Sequence, residues 1–264
     1  MSAVNPVVLI TGASRGLGRG IAVETAKLGY SVAINYASNA KAADETVELC
    51  KSHATSPQQR FVAIQANVGI QQDRIRLIEQ TLKEFRRIDA LINNAGMGPR
   101  ARVDITETTE ESFDEVLSIN LRGAFFLTQS IARYWIQNKV LPAIPTGFKV
   151  IFISSISADT VSLNRAEYCI SKAGLTMVSQ LWAARLAEIG AQVLELRPGI
   201  MATDMTRGVK EKYDKLLTEG VIPQHRWGTP EDVGLAVGAI LSGKFPFTTG
   251  EVIHIDGGFH LRRL

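Results

Sequence analysis

The chain is poor in the residues that hold small secreted or metal-bound domains together. It has 2 cysteines and 4 histidines in 264 residues. Cys50 and Cys169 make no framework spacing, so a disulfide-stapled scaffold is excluded and both read as free thiols. His53, His225, His254 and His260 show no metal-ligand spacing, and no metal site is expected. Charge of one sign is also scarce. The formal net charge is +3, and the Lys and Arg residues are scattered rather than gathered in a stripe, which argues against nucleic acid as a partner. No apolar run approaches the roughly 20 residues of a membrane span, and Met1-Ser2-Ala3-Val4-Asn5-Pro6 lacks the basic and apolar regions of a secretory signal. A cytoplasmic protein with no membrane contact is the expectation. Repeats, low-complexity tracts and linkers are missing too, so residues 1–264 read as one domain, a size that α/β folds reach undivided.

What is present is an alternation of buried strands and helices. Val7-Val8-Leu9-Ile10 is a short apolar run rich in β-branched residues, and residues 31–35, 61–65, 90–92, 149–153, 192–196 and 252–255 repeat its character. Helical spacing fills the gaps at about 40–53, 71–86, 110–121, 124–137, 167–189 and 231–241. Residues 138–148, with Pro142, Pro145 and Gly147, read as a surface loop. Strand and helix alternating without hairpin signals predict an α/β fold, a doubly wound seven-stranded parallel sheet with helices on both faces. Ligands of such sheets lie outside the carboxyl ends of the strands. The unusual polar residues gather at those ends.

The first strand runs into Thr11-Gly12-Ala13-Ser14-Arg15-Gly16-Leu17-Gly18, and apolar residues then recur at helical spacing from Ile21. A glycine turn between strand and helix aims backbone N–H groups and a helix N-terminus at an anion. The same glycines also fit a tight loop needed for backbone geometry alone. Tyr168 and Lys172 stand at i,i+4, on one face of a helix. A nearby ammonium stabilises phenolate, lowering a tyrosine pKa from about 10 towards the range of a general acid or base. Taken alone, the pair equally fits an amphipathic tyrosine and a snorkelling lysine.

The motifs Thr11-Gly12-x-x-x-Gly16-x-Gly18, Asn93-Asn94-Ala95-Gly96, Asn120, Ser155, Tyr168-x-x-x-Lys172 and Pro198-Gly199 together resemble the short-chain dehydrogenase/reductase family over nearly the whole chain. The Asn35-Tyr36-Ala37 turn and the Ile255-Asp256-Gly257-Gly258 ending are similar to the 3-oxoacyl-[acyl-carrier-protein] reductase group. The resemblance implies a Rossmann-type fold and four catalytic residues. Tyr168 would exchange a proton with the substrate oxygen, and Lys172 would lower the phenol pKa and hold the nicotinamide ribose. Ser155 would orient the substrate oxygen, with Ser154 and Ser157 as alternative hydroxyls. Asn120 would hold a water that connects Lys172 to solvent, although a mid-helix Asn also serves to pin a helix. Asn93 would tie neighbouring strands together.

The implied cofactor site is the turn residues Gly12, Ser14, Arg15, Gly16, Leu17 and Gly18, then Asn35, Tyr36 and Ser38, Asn67 and Val68 at adenine, and Asn94, Ala95 and Gly96 at the ribose. Tyr168, Lys172, Pro198, Gly199, Ile200 and Thr203 complete it. The end of the second strand offers no carboxylate for the 2′-OH of NAD before Asp44, whereas Arg15, Ser14 and Ser38 suit a 2′-phosphate. NADP is therefore expected in preference to NAD. Residues 203–226 resemble a substrate lid, with a helical stretch at Val209 to Leu217. The lid and Ala158 to Arg165 would choose the substrate. Arg100, Arg102, Arg165 and Arg207 are candidates for attracting an acidic carrier or carboxylated substrate. The expected activity is reduction of a 3-oxoacyl thioester, free or carrier-bound, or a similar small ketone. A sugar or polyol dehydrogenase and a non-catalytic nucleotide sensor or scaffold are the alternatives. The resemblance also implies a homotetramer built on the helices at 124–137 and 167–189, with the tail 260–264 able to reach a neighbour.

Overall fold

The computed structural model describes residues 5–262. The expectations for Met1 to Val4 and for Arg263 and Leu264 lie outside those residues. Seven strands, β1 (Val7–Ile10), β2 (Ser31–Tyr36), β3 (Phe61–Gln65), β4 (Ala90–Asn93), β5 (Lys149–Ile153), β6 (Gln192–Pro198) and β7 (Val252–Ile255), form one sheet in the order β3-β2-β1-β4-β5-β6-β7. Every pairing is parallel. The order reverses beside β1, which is the switch point where such sheets open a ligand crevice.

Period-two alternation divides each strand between two cores. Val7 and Leu9 pack under α3 (Gln71–Phe85), α5 (Ala124–Gln137) and α6 (Ala166–Leu186). Val8 and Ile10 pack under α1 (Gly16–Lys27), α2 (Ala40–Ser52) and α8 (Pro230–Leu241). Because both faces are covered, β1 is buried at all four positions, as parallel strands require. Local chemistry fixes the helix starts. Asn39 caps α2 through Ala42, and Thr229 and Asp232 form a capping box at α8 with Pro230 in its first turn.

Three features differ from the sequence expectation. The helices expected at 110–121 and 124–137 form one rod, in which α4 (Glu110–Leu117) passes through a π-helical stretch, Ser118–Gly123, into α5. The 138–148 segment is not simply superficial. Ile144 and Phe148 are buried, Phe148 stacks on Trp135 with centroids 4.3 Å apart, and the Ala143 N–H donates to buried Asp89. Asn93 ties β4 to a helix rather than to a strand, donating to Thr128 Oγ1 on α5 at 3.0 Å. Among the described residues no helix is long and apolar enough to cross a membrane, and Cys50 and Cys169 are free. Beyond β6, α7 (Lys210–Thr218) lies on a small separate apolar cluster of Ile200, Leu217 and Ile222, with Tyr213, Leu216, Trp227 and Phe259 around it.

Candidate active site

The glycine turn is held from two sides. Gly12 has φ +62°, and a Cβ there would stand 2.9 Å from the Ala95 Cα, so only glycine lets the turn meet the loop after β4. Asn94 Nδ2 donates to the Thr11 and Gly12 carbonyls at 2.8 and 3.0 Å, and the Thr11 hydroxyl accepts from the Asn94 and Ala95 N–H groups. The Asn35 side chain is 1 % exposed and fully occupied: its Oδ1 accepts from Gly12, and its Nδ2 donates to the carbonyls of Ile64 and Ala66. The structure thus makes Asn35 a brace between β2, β3 and the turn. The reason is that loose backbone groups at adjacent strand ends need partners. Half-buried Tyr36 and exposed Ser38 follow it at the open edge. Asn67 Oδ1 accepts from Gly69, and the Val68 side chain belongs to the core.

At the start of α1, Arg15 supplies no side-chain cap and the first turn holds no acid. The backbone N–H groups of Ser14 and Arg15 have no partner among the described residues. An uncapped helix N-terminus beside unmet N–H groups is a ready site for phosphate. Gly16 faces Thr203 across the cleft, where a Cβ would lie 3.8 Å from the Thr203 Cγ2. Arg15 reaches over the same gap to Asp204, Nη1 to Oδ2 3.7 Å, with both side chains largely in solvent. Gly199 is pressed against Asp256, and buried Ile200 accepts from Gly228 through its carbonyl.

The π-helical turn carries Asn120 inward, and it is 1 % exposed. Widened turns of this kind recur at functional sites. Its Oδ1 accepts from the Met97 N–H at 2.8 Å, and its Nδ2 donates to the Met97 carbonyl at 2.9 Å and to Ser171 Oγ at 3.0 Å. The Asn120 side chain therefore clamps the 94–97 loop to α6.

Tyr168 and Lys172 project from α6 towards the end of β5. Ser155 starts the short turn Ile156–Ala158, accepts from the Ser157 N–H at 3.1 Å and turns its hydroxyl to the side of the Tyr168 phenol, where it favours the phenolate. Ser154 is not the facing hydroxyl, since its Oγ donates to Glu195 Oε1 at 2.5 Å. Lys172 is 4 % exposed, donates from Nζ to the Ile153 carbonyl at 2.9 Å and lies 5.6 Å from the Tyr168 ring centroid. Burial pulls its ammonium down to about 8, opposed by the carboxylate of Glu195. The phenol does not follow the expected lowering by Lys172. Burial raises Tyr168, and the relief comes from the Ser155 hydroxyl and then from Arg165, whose guanidinium lies 5.4 Å from the ring centroid. A Cβ on Gly96 would stand 3.4 Å from both Lys172 Nζ and Asn120 Oδ1, so the missing side chain leaves the space above the lysine open.

Of the arginines singled out by sequence whose side chains are described, only Arg165 comes to the tyrosine. Arg100 pairs with Glu115 in solvent, Arg102 is exposed, and the side chain of Arg207 lies outside the described residues. Sequence reasoning passed over Glu195 and Arg197, although two charges inside a strand expected to be buried on both faces were a visible signal.

An uncapped helix N-terminus beside the switch point of the sheet and a Ser–Tyr–Lys cluster at the end of β5 are the parts of a nucleotide-binding oxidoreductase. A family model described as enoyl-(acyl carrier protein) reductase matches residues 12–260, and the chain belongs to this family of short-chain dehydrogenase/reductases. It is similar to a 3-oxoacyl-[acyl-carrier-protein] reductase of Staphylococcus epidermidis, 31% identical over 259 residues that cover 98% of this chain and 100% of that one. A tetrahydroxynaphthalene reductase of Pestalotiopsis fici is 34% identical, covering 96% of this chain and 90% of its own. A 3-oxoacyl-[acyl-carrier protein] reductase of Brucella melitensis, solved in complex with NAD, superimposes with a TM-score of 0.90 at 37% identity, covering 98% of this chain and 99% of that one.

Proposed function

We propose that the chain is an NADPH-dependent carbonyl reductase acting on a 3-oxoacyl thioester, carried by acyl carrier protein or a similar carrier. The observation that carries this reading is the convergence of Ser155, Tyr168 and Lys172 at the carboxyl edge of the sheet that also holds the bare N-terminus of α1. A nicotinamide dinucleotide fits the residues present: unmet N–H groups at Ser14 and Arg15 for its phosphates, and open space over Gly96 beside Lys172. When bound, the cofactor supplies the hydride. Tyr168 gives its proton to the carbonyl oxygen as that oxygen becomes an alkoxide. Ser155 donates to the same oxygen and orients it, and one such donor is worth about 10²–10³ in rate at oxyanion sites. Lys172 keeps positive charge beside the phenol and would hold the nicotinamide ribose. Asn120 fixes the loop of Asn94, Ala95 and Gly96, which would line the ribose. Pro198, Gly199, Ile200 and Thr203 would border the nicotinamide, and residues 203–226 would cover the substrate.

The preference for NADP rests on Arg15, whose side chain is 64% exposed at the start of α1, and on the lack of a carboxylate at the end of β2. The NAD complex of the Brucella relative makes the cofactor the first thing to measure. A homotetramer is supported by the apolar side chains that α5 and α6 leave exposed, Phe126 on the first and Ile170, Met177 and Leu181 on the second. Light scattering reads the size. The test of function is steady-state reduction of acetoacetyl-CoA with NADPH and with NADH, beside a polyol panel in the oxidative direction. Thioester turnover with NADPH is the expected result. Polyol oxidation without thioester reduction overturns the reading.

A further inference from the structure

Strand β6 carries two charges where a covered parallel strand should be apolar. Leu194 and Leu196 enter the core under α1 and α8, and Val193 enters the core under α5 and α6. By alternation Glu195 and Arg197 lie on the α6 side, at the ligand end of the sheet. Glu195 is 1 % exposed. Its Oε1 accepts from Ser154 Oγ at 2.5 Å, Arg197 Nε at 2.6 Å and Thr176 Oγ1 at 3.3 Å, while its Oε2 is buried with no partner among the described residues. Arg197 passes the network outward, from Nη2 to Thr176 Oγ1 at 2.8 Å and from Nη1 to Asp159 Oδ2 at 2.7 Å. Thr176 lies one turn beyond Lys172 on the stripe that also holds Tyr168. Asp159 follows the turn that Ser155 begins, and its side chain is 49% exposed.

The charges balance only as a group. Two carboxylates, Glu195 and Asp159, hold one cation, Arg197, and a second, Lys172, stands one helical turn before Thr176, whose hydroxyl donates to Glu195. The other titratable groups near them are Tyr168 and Arg165 at the outer side of Lys172, Cys169 and Tyr213 near the phenol, and His254, which sits beside Arg197 in the β6–β7 register with His260 and Asp256 next to it. Of these groups, Glu195 is the one whose charge favours the Lys172 ammonium. A buried ammonium without a counter-charge sheds its proton.

We propose that Glu195 is a positioning residue of the reductase site, holding Ser154 beside Ser155 and supplying the counter-charge that keeps Lys172 an ammonium next to Tyr168. This rests on the reading of Tyr168 and Lys172 as the proton-donating pair. Arg197 tethers the carboxylate, and by sharing itself with Asp159 it leaves part of the field of Glu195 for Lys172. Removing either carboxylate therefore moves Lys172 in the same direction, towards the neutral amine, and Glu195 moves it more.

The test uses the full chain labelled with ¹³C-lysine, with the Lys172 signal assigned by its loss in Lys172→Arg. An NMR titration should place the midpoint near 8 in the wild type. In Glu195→Gln it should fall by about one pH unit or more. In Asp159→Asn, altered only at the half-exposed end, it should fall by less. The alkaline limb of kcat/KM, which reports the first proton lost by the pair, should move down with the midpoint. A merely structural role lowers kcat/KM without moving the limb. An unmoved midpoint in Glu195→Gln overturns the proposal, as does a limb that stays in place while the midpoint moves. If Glu195→Gln does not fold, an unmoved or rising midpoint in Asp159→Asn does the same. Absence of turnover with every carbonyl, wild type included, overturns instead the reductase reading, because the lysine titration needs no substrate.

Discussion

Replacing Asn120 with alanine separates a clamp from a water-holder. The side chain is buried and makes three hydrogen bonds, two of them to the N–H and the carbonyl of Met97. Asn120→Ala leaves both Met97 groups unmet, while Ser171 keeps its bond to the Tyr168 carbonyl. A buried group deprived of its partner costs about 1–3 kcal/mol. Met97 is only half-buried, so water recovers part of this, and the net loss should be about 2–4 kcal/mol. For a chain of this size that is a fall in Tm of roughly 5–15 °C. Urea unfolding of wild type and variant measures the first figure, and NADPH titration by fluorescence reads the loosened 94–97 loop as weaker binding. The reasoning is refuted if Asn120→Ala unfolds within about 0.5 kcal/mol of wild type, the range of an ordinary surface change, while turnover falls a hundredfold. That pattern would assign Asn120 to proton supply.

Arg15→Ala should lose about 10–100-fold in NADPH affinity and leave NADH binding nearly unchanged, the worth of one charge-assisted contact; equal losses for both cofactors would remove the 2′-phosphate assignment. Gly12→Ala should abolish cofactor binding and lower the unfolding midpoint, because a Cβ there meets the Ala95 backbone at 2.9 Å with φ at +62°, and a variant that binds NADPH normally would show that the turn has room to shift. Lys149 is 1 % exposed, donates to the Thr146 carbonyl and is pulled by burial from 10.5 down to about 8. Between those values the unfolded chain holds the extra proton, so this lysine makes stability rise as pH rises from about 8 towards 10.5. Urea midpoints across that range should climb less steeply in Lys149→Met than in wild type, and identical slopes would contradict the burial argument.

Much of the fold was legible because each strand is a short β-branched run and each long helix keeps its apolar period. Val7 to Ile10, Phe61 to Gln65 and Lys149 to Ile153 needed nothing else. The junction of α4 and α5 was not legible, since one widened turn at Ser118–Gly123 barely disturbs the spacing of a helix. At the site, spacing located Ser155, Tyr168 and Lys172 but not the direction of a side chain. Asn35 stands at the correct strand end and turns inward to satisfy the backbone of the glycine turn and of the end of β3. Arg165 looked like one of several scattered cations until the fold laid it against Tyr168. The pKa of the phenol was hidden for a related reason: sequence shows the neighbouring lysine, whereas burial, which raises the phenol, belongs to the assembled site.

Turnover and binding in Tyr168→Phe bear hardest on the proposal of a carbonyl reductase. The variant keeps the ring beside Arg165 and Lys172 and removes only the hydroxyl on the side of Ser155. NADPH should bind with wild-type affinity while thioester reduction falls by about 10³-fold or more, since general acid catalysis alone is worth about 10²–10⁴. A Tyr168→Phe protein that binds NADPH and reduces the thioester at the wild-type rate would contradict the assignment of the proton donor.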